Sequence, residues 1–232
     1  MSRGESDFTH LPAFAARLYD SLTQTRAIQA LFGEVARQLA GRLPAGRLLD
    51  IGTGPGHLLR EIHRFSPQVE LFGLDISEAM VTQARRNLSG IPADLRCGNI
   101  RHTDYADDFF DLITSTGSFY LWDEPVECLN EIHRILKPSG VACIYESYSD
   151  YDEAAFEQAL RHNLEKETFI RRWLTPKFLK RQLRMTYIYS QVDEIMLQTR
   201  FVGGFKVEKV ILAGLPAWLR IELIKSCSFL VI

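Results

Sequence analysis

Two acids and three glycines hold the chemistry this chain can offer: Asp50, Gly52, Gly54, Gly56 and Asp75. The first four lie in the run Leu48-Leu49-Asp50-Ile51-Gly52-Thr53-Gly54-Pro55-Gly56-His57-Leu58; Asp75 ends a second apolar run. Glycine accepts positive φ and lets a backbone approach a ligand closely. A glycine turn between strand and helix, with free N–H groups, makes a cradle for a nucleotide-type ligand. The spacing disfavours NAD. A G-x-G-x-x-G loop would place its third glycine where His57 stands. Asp50 precedes the first glycine, where the dinucleotide pattern asks for no acid, and Pro55 stiffens the turn. Asp75 can accept hydrogen bonds from ribose hydroxyls or cap the helix after it.

These residues need a scaffold, and hydrophobic patterning supplies it. Residues 48–51, 69–75, 95–97, 109–114 and 141–146 read as strands, the first nearly all apolar, as in a sheet covered on both faces. Helical spacing falls between them, over 58–65, 77–88 and from Pro125 to about Leu136, where Lys137-Pro138-Ser139-Gly140 stops the helix. Ser77 is the expected N-cap of the second of these helices, and Asp123 or Glu124 stands near the start of the third. Ahead of them, a short helix covers 14–20 and Thr25 caps a longer one with Ile28, Leu31, Phe32, Val35 and Leu39 on one side. Strands alternating with helices predict an α/β, Rossmann-like, doubly wound and mostly parallel sheet whose ligands bind at the strand C-termini. After Tyr148 the pattern changes. Residues 152–184 form a helical insertion. Ser190 and Asp193 form a capping pair for a helix to about Phe201. Two alternating strands, joined at Gly214-Leu215-Pro216, form an antiparallel hairpin that completes a seven-stranded sheet.

Bulk properties narrow the function classes. The chain has 232 residues, 46% hydrophobic and 24% charged, with a net charge of −2, so nothing in its overall electrostatics calls for nucleic acid. The cysteines Cys97, Cys128, Cys143 and Cys227 lack CxxC spacing, which disfavours a metal cluster or a disulfide framework. Cys97 and Cys143 read as core residues, and a reduced, cytoplasmic home fits. No apolar run approaches the roughly 20 residues of a membrane span, and the first thirty residues show no signal-peptide pattern.

The run D-I-G-T-G-P-G-H resembles the first motif of class I S-adenosylmethionine-dependent methyltransferases. Gly73-Leu74-Asp75-Ile76-Ser77 with Met80, Gly98-Asn99-Ile100, Phe110-Asp111-Leu112-Ile113 and Leu136-Lys137-Pro138-Ser139-Gly140 resemble the family's later elements, in order. The resemblance covers about residues 47–146 and 190–225. It implies S-adenosylmethionine as cofactor and S-adenosylhomocysteine as product. It implies backbone contacts from Gly52, Thr53, Gly54 and Gly56, with Asp50 near the ammonium or the loop. It further implies Asp75 on the ribose diol, Ile76 and Ile100 around the adenine with Met80 near, and Asn99 accepting from the exocyclic amine. Asn99 departs from the common family acid, and Ser139 replaces a glycine, which matters little if its φ stays negative. Tyr19-Asp20 resembles a Y-D element that folds over the cofactor in small-molecule members. Ser115 and Thr116, at the fourth strand's end, complete the cofactor set.

The acceptor side has less to read. Tyr120 and Trp122 follow the fourth strand at the ligand edge, where rings can hold an apolar group or a sulfonium or pack under the insertion. Tyr148 lies at the fifth strand's end. Tyr120, Asp123 and Glu146 are candidates for proton transfer, although in-line methyl displacement often needs positioning alone. The insertion is basic: Arg161, Lys166, Arg171, Arg172, Lys177, Lys180, Arg181 and Arg184 face only Glu165 and Glu167 over 161–184. It is either a solvated face or a lid that attracts an anionic substrate through Arg171 and Arg172.

The expected function is transfer of the sulfonium methyl to an O, N or C nucleophile of a small molecule, with no metal. A methyltransferase on RNA or protein and a non-catalytic S-adenosylmethionine-binding protein remain as alternatives; nucleic acid is disfavoured, and a homodimer is an open option. The expected layout is a single domain over 1–232. It comprises an N-terminal helical cap (1–46), a cofactor core (47–150), a helical lid insertion (151–189) and a C-terminal helix with the hairpin (190–232).

Overall fold

The computed structural model describes residues 12–165 and 167–226, without the side chains of Ile170, Arg171 and Phe178. The expectations for residues 1–10, Lys166, the Arg171 side chain and Cys227 therefore lie outside the described residues. Seven strands form one sheet in the order β3-β2-β1-β4-β5-β7-β6. They are β1 Gly46–Ile51, β2 Val69–Asp75, β3 Ala93–Cys97, β4 Phe110–Thr116, β5 Leu136–Ser147, β6 Phe205–Leu212 and β7 Leu215–Ile224. β1 to β5 run parallel, and β7 lies antiparallel between β5 and β6. The mostly parallel α/β sheet with a C-terminal antiparallel hairpin is the architecture the sequence predicts.

Side chains alternate across a strand, so neighbouring leucines of β1 serve opposite cores. Leu48 packs with Leu31, Val35 and Leu39 of α2 (Arg26–Ala40) and Leu58 and Ile62 of α3 (His57–Phe65). Leu49 packs with Leu129 and Ile132 of α5 (Pro125–Ile135). α1 (Ala13–Thr23) and α4 (Glu78–Asn87) flank the edge where the parallel strands end. The insertion forms α6 (Glu153–Leu164) and α7 (Phe169–Leu183). Phe156, Leu160, Leu164 and Leu183 make a small separate core with Leu215 and Ala217 of β7. α8 (Tyr189–Met196) covers β6. No helix among the described residues is long and apolar enough to cross a membrane.

Several local expectations need correction. Ser139 adopts φ 62°, not a negative value. A left-handed serine costs roughly 1–2 kcal/mol, tolerated here because its N–H bonds the Lys225 carbonyl at 2.9 Å. β5 begins at Leu136, five residues before Val141, because the chain passes straight from helix into strand pairing with Phe110. The hairpin turn is Ala213-Gly214, with φ 49° and 77°, and Pro216 lies inside β7. That two-residue, positive-φ turn matches strand twist better than a longer one. Thr25 occupies the N-cap position of α2, but its hydroxyl makes no cap bond and is buried without a partner among the described residues. Ser190 and Asp193 lie inside α8, which ends at Met196; its start is held by the Gln191 side chain accepting from the Ile188 N–H at 3.2 Å. Glu124 precedes α5 with no side-chain cap bond, whereas Ser77 does cap α4 by accepting from the Met80 N–H. Cys97 is exposed, because β3 is an edge strand, while Cys143 is buried.

Candidate active site

A cavity of about 350 Å³ opens where the parallel strands end. The turn after β1 contributes Gly52 and Gly54, and the end of β2 contributes Asp75 and Ile76. Asn99 and Ile100 come after β3, and Thr116 ends β4. Tyr19 of α1 and Met80 of α4 close one side.

Backbone geometry explains the glycines. Gly52, Gly54 and Gly56 have φ of 69°, 51° and 81°, a region that side chains strain to enter. A Cβ on Gly52 would lie 2.3 Å from the Ser118 hydroxyl oxygen. At Gly56 it would press Leu88 at 3.0 Å, so this glycine seats the loop against α4's end rather than lining the cavity. At Gly54 nothing lies nearer than 4.0 Å, where the Tyr19 ring begins. That gap between loop and ring is the cradle.

Two acids hold the cradle in shape. Asp75 accepts from the Gly54 N–H at 2.8 Å and from the Ser77 N–H at 2.9 Å, one bond on each oxygen, tying the loop to the start of α4. Burial raises its carboxyl pKa while those two N–H groups oppose the rise. Asp20 locks α1 onto the same loop. Its carboxylate stands 2.7 Å from His57 Nε2. It accepts from Asn87 at 2.9 Å and from Gln24 and Gln83 at 3.2 Å each. Asn87 also donates to the Pro55 carbonyl at 2.9 Å. Burial lowers the His57 pKa and Asp20 only partly restores it, so the imidazole is neutral near pH 7. His57 opens α3 and is a structural partner of the loop. The Asp20–His57 contact joins residues far apart in the chain, and no local spacing in the sequence signals it.

Several expected cofactor residues stand behind the cavity wall. Asp50 is 2% exposed, and burial, reinforced by the Asp75 charge, pushes its carboxyl up to about 7. Thr53 and Ser115 are buried too, Ser115 within 2.8 Å of the Ser118 hydroxyl. Asn99 does reach the cavity, and its side-chain oxygen also accepts from the Arg101 N–H at 2.9 Å, an Asx turn. Tyr19 is held so that burial and the charges of Asp75 and Glu146 push its hydroxyl up to about 12.

The opposite wall is a 3-10 turn, Phe119–Leu121, and the two residues after it. Tyr120, Leu121, Trp122 and Asp123 line the cavity there. Trp122 also meets Phe119 edge-on at 5.1 Å, so it both packs the core and forms the wall. Glu146 lies behind Tyr120, fully buried, accepting from the Tyr120 N–H at 3.2 Å and the Ser147 N–H at 2.8 Å. Burial pushes it up to about 7. It braces the wall and does not line the cavity.

The insertion reaches the cavity through Arg181, one of its basic residues, and not through Arg172. Arg181 and Gln182 of α7 and Met185 after it line the cavity; Arg172 is exposed elsewhere on α7. Tyr148 also lies off the cavity, under the Lys209 ammonium at 4.8 Å. Ile51, Leu74, Gly98, Gly117 and Ser118 complete the lining. Their signal in the sequence was only adjacency to strand ends.

Residues 49–144 match the family model described as a methyltransferase domain. That match runs from β1 into β5, the part of the sheet whose strand ends carry the glycine turn and Asp75. The methyltransferase YdaC of Bacillus subtilis, described as uncharacterized, is 31% identical over 97 residues, 42% of this chain and 54% of that protein. The ubiquinone/menaquinone biosynthesis C-methyltransferase UbiE of Desulfotalea psychrophila is 31% identical over 101 residues, 44% of this chain and 41% of that one. The chain therefore spans about half or less of the length of these relatives. Among solved structures, the plantazolicin methyltransferase BamL, in complex with a triazolic analog and SAH, is similar at TM-score 0.69 and 16% identity. The match covers 95% of this chain and 93% of BamL. A SAM-dependent methyltransferase from Aquifex aeolicus gives 0.64 at 16%, over 92% and 98%. At these identities the likeness shows the fold. The ligand held by BamL, SAH, is S-adenosylhomocysteine, the demethylated form of S-adenosylmethionine.

Proposed function

We propose that this protein transfers the methyl group of S-adenosylmethionine to an O, N or C nucleophile of a small molecule held in the same cavity. The observation that carries this is one cavity with two unlike walls. One is the glycine cradle with Asp75, Asn99, Ile76 and Ile100; the other is Tyr120, Trp122 and Asp123 beneath α7. The cofactor fits the first wall on structural grounds. Gly54 leaves room that a Cβ would fill, and each oxygen of Asp75 keeps a lone pair beyond its backbone bond. Asp75 would hold the ribose hydroxyls, Ile76 and Ile100 the adenine, Asn99 its amine, and the loop with Tyr19 the amino-acid end.

When bound, the sulfonium supplies an electrophilic methyl. The chain's own residues would align the acceptor and exclude water. The Tyr120 hydroxyl pKa is raised by burial and by Glu146, so this group stays protonated and would donate to an acceptor bound beside it. Asp123 is then the carboxylate of the second wall placed to take a proton where the acceptor must lose one. The first forty-six residues would act as a cap, 47–150 as the cofactor core, 151–189 as a lid, and 190–232 as the piece that completes the sheet. The thiols of Cys97 and Cys143 support a reducing, cytoplasmic setting.

The test is incubation with methyl-labelled S-adenosylmethionine and a metabolite extract, with mass spectrometry of labelled products. A labelled small molecule that is lost with Asp75→Ala is the expected result. Label appearing only in protein or RNA, or SAH binding without any turnover, would replace this reading by one of its alternatives.

A further inference from the structure

Among the described residues, Arg181 is the single cation lining the cavity. Several arginines elsewhere are committed to acids: Arg42 to Glu222, Arg101 to Glu127, Arg134 to Glu131 and Asp107, Arg220 to Glu208. Its neighbour Lys180 pairs with Glu157. Arg181 makes no ion pair or hydrogen bond with any described residue, although Asp75 and Asp123 line the same cavity. Tyr120 shows the same pattern. Its N–H bonds Glu146, while its hydroxyl has no hydrogen-bond partner among the described residues and its ring is 7% exposed. The two groups line the same cavity. Around them the wall is apolar, built from Leu121, Trp122 and Met185.

Unmet donors beside an apolar wall specify a ligand chemistry. A guanidinium fork and a neutral phenol both donate, and a planar carboxylate accepts from both. A phosphate dianion or a nucleic-acid backbone brings more negative charge than one guanidinium offsets. A single negative charge is matched. The flat indole of Trp122 and the adaptable thioether of Met185 suit an aromatic ring.

Building on the methyltransferase reading above, we infer that Arg181 and the Tyr120 hydroxyl form an anchoring subsite for the carboxylate of an aromatic acid acceptor, its ring held against Trp122 and Met185. The lid then supplies acceptor specificity through its last turn, and the donor is held without its help.

The experiment is calorimetric titration of the full chain saturated with SAH. Benzoate, phenylacetate and 2-naphthoate serve as probes, each against its amide. At least one acid should bind about ten-fold more tightly than its amide, the size of a lost charged hydrogen bond. Arg181→Gln should abolish that preference, Arg181→Lys should restore part of it, and Tyr120→Phe should weaken the acid a few-fold. SAH affinity and the melting temperature should stay unchanged in Arg181→Gln, an exposed site. Equal binding of acids and amides, or no acid binding at millimolar concentration, overturns the inference. So does loss of SAH affinity in Arg181→Gln, which would assign the guanidinium to the donor's own carboxylate. Absence of SAH binding by the unsubstituted chain would instead sink the methyltransferase reading itself.

Discussion

The two walls of the cavity are built on opposite principles. On the donor side the acids and loop groups are already engaged: Asp75 by two backbone N–H groups, Asp20 by His57, Asn87, Gln83 and Gln24. On the acceptor side Arg181 and the Tyr120 hydroxyl have no partner among the described residues. A wall meant for an invariant ligand gains from rigidity, because a preorganised loop gives up little entropy on binding. A wall meant for a particular acceptor needs free polar groups to recognise it. The donor wall also grows from sheet edge and short turns, the acceptor wall from a 3-10 turn and an inserted helix.

The harshest test of the donor wall is Gly52→Val. A branched side chain there meets Ser118 and a φ of 69°. Strain and overpacking together predict a loss of about 4 kcal/mol, read as lost SAH binding or a collapsed melting transition. Asp20→Ala should cost about 3 kcal/mol of stability in denaturant titration, by stranding the buried His57 and the half-buried amides of Asn87 and Gln83. It should also speed SAH dissociation, since Tyr19 loses its anchor. An unchanged dissociation rate would show that α1 does not gate the cradle. Asp75→Ala should weaken SAH by about 1–3 kcal/mol while leaving Arg181-dependent recognition intact.

Proton linkage samples both walls at once. Asp50 and Glu146 both have pKa values raised to about 7 by burial. In the unfolded chain they titrate near 4, so between about pH 4 and 7 the folded state holds protons that the unfolded state has lost. With respect to these groups, folding stability is therefore greatest below about pH 4 and falls as pH rises through about 7, by at least about 1 kcal/mol each. Melting temperatures of the ligand-free protein between about pH 5 and 8 should show the decline, and Asp50→Asn should flatten its share. The smallest effect belongs to Arg172→Ala. Its side chain is exposed and off the cavity, so stability should move by less than about 0.5 kcal/mol and SAH binding should not move.

The fold was legible because its signals are local. Apolar runs at 48–51 and 69–75 and the helix between them each report their own conformation. Ser139 was not legible, because its left-handed φ is imposed by pairing with Lys225, far along the chain. The donor wall was legible in part. Asp75, Ile76, Asn99 and Ile100 stand at strand ends and reach the cavity, whereas Asp50, Thr53, Gly56 and Ser115 stand behind it, because alternating directions along a strand or turn send only some residues to the edge. On the lid, composition marked a basic helix but carried no register. Only the packing of α6 and α7 on β7 turns Arg181 and Met185, and not Arg172, toward the cavity.

Linear order alone was enough for the alternation of strand and helix and for the glycine cradle with Asp75 behind it. Those depend on φ preferences, hydrophobic period and short spacings that any segment carries within itself. Tertiary packing was needed to lock Asp20 onto His57, to set Glu146 as a brace outside the cavity, and to turn Arg181 into it with no acid to pair. Each of these is a meeting of residues distant in the chain, set by how helices pack on a sheet edge.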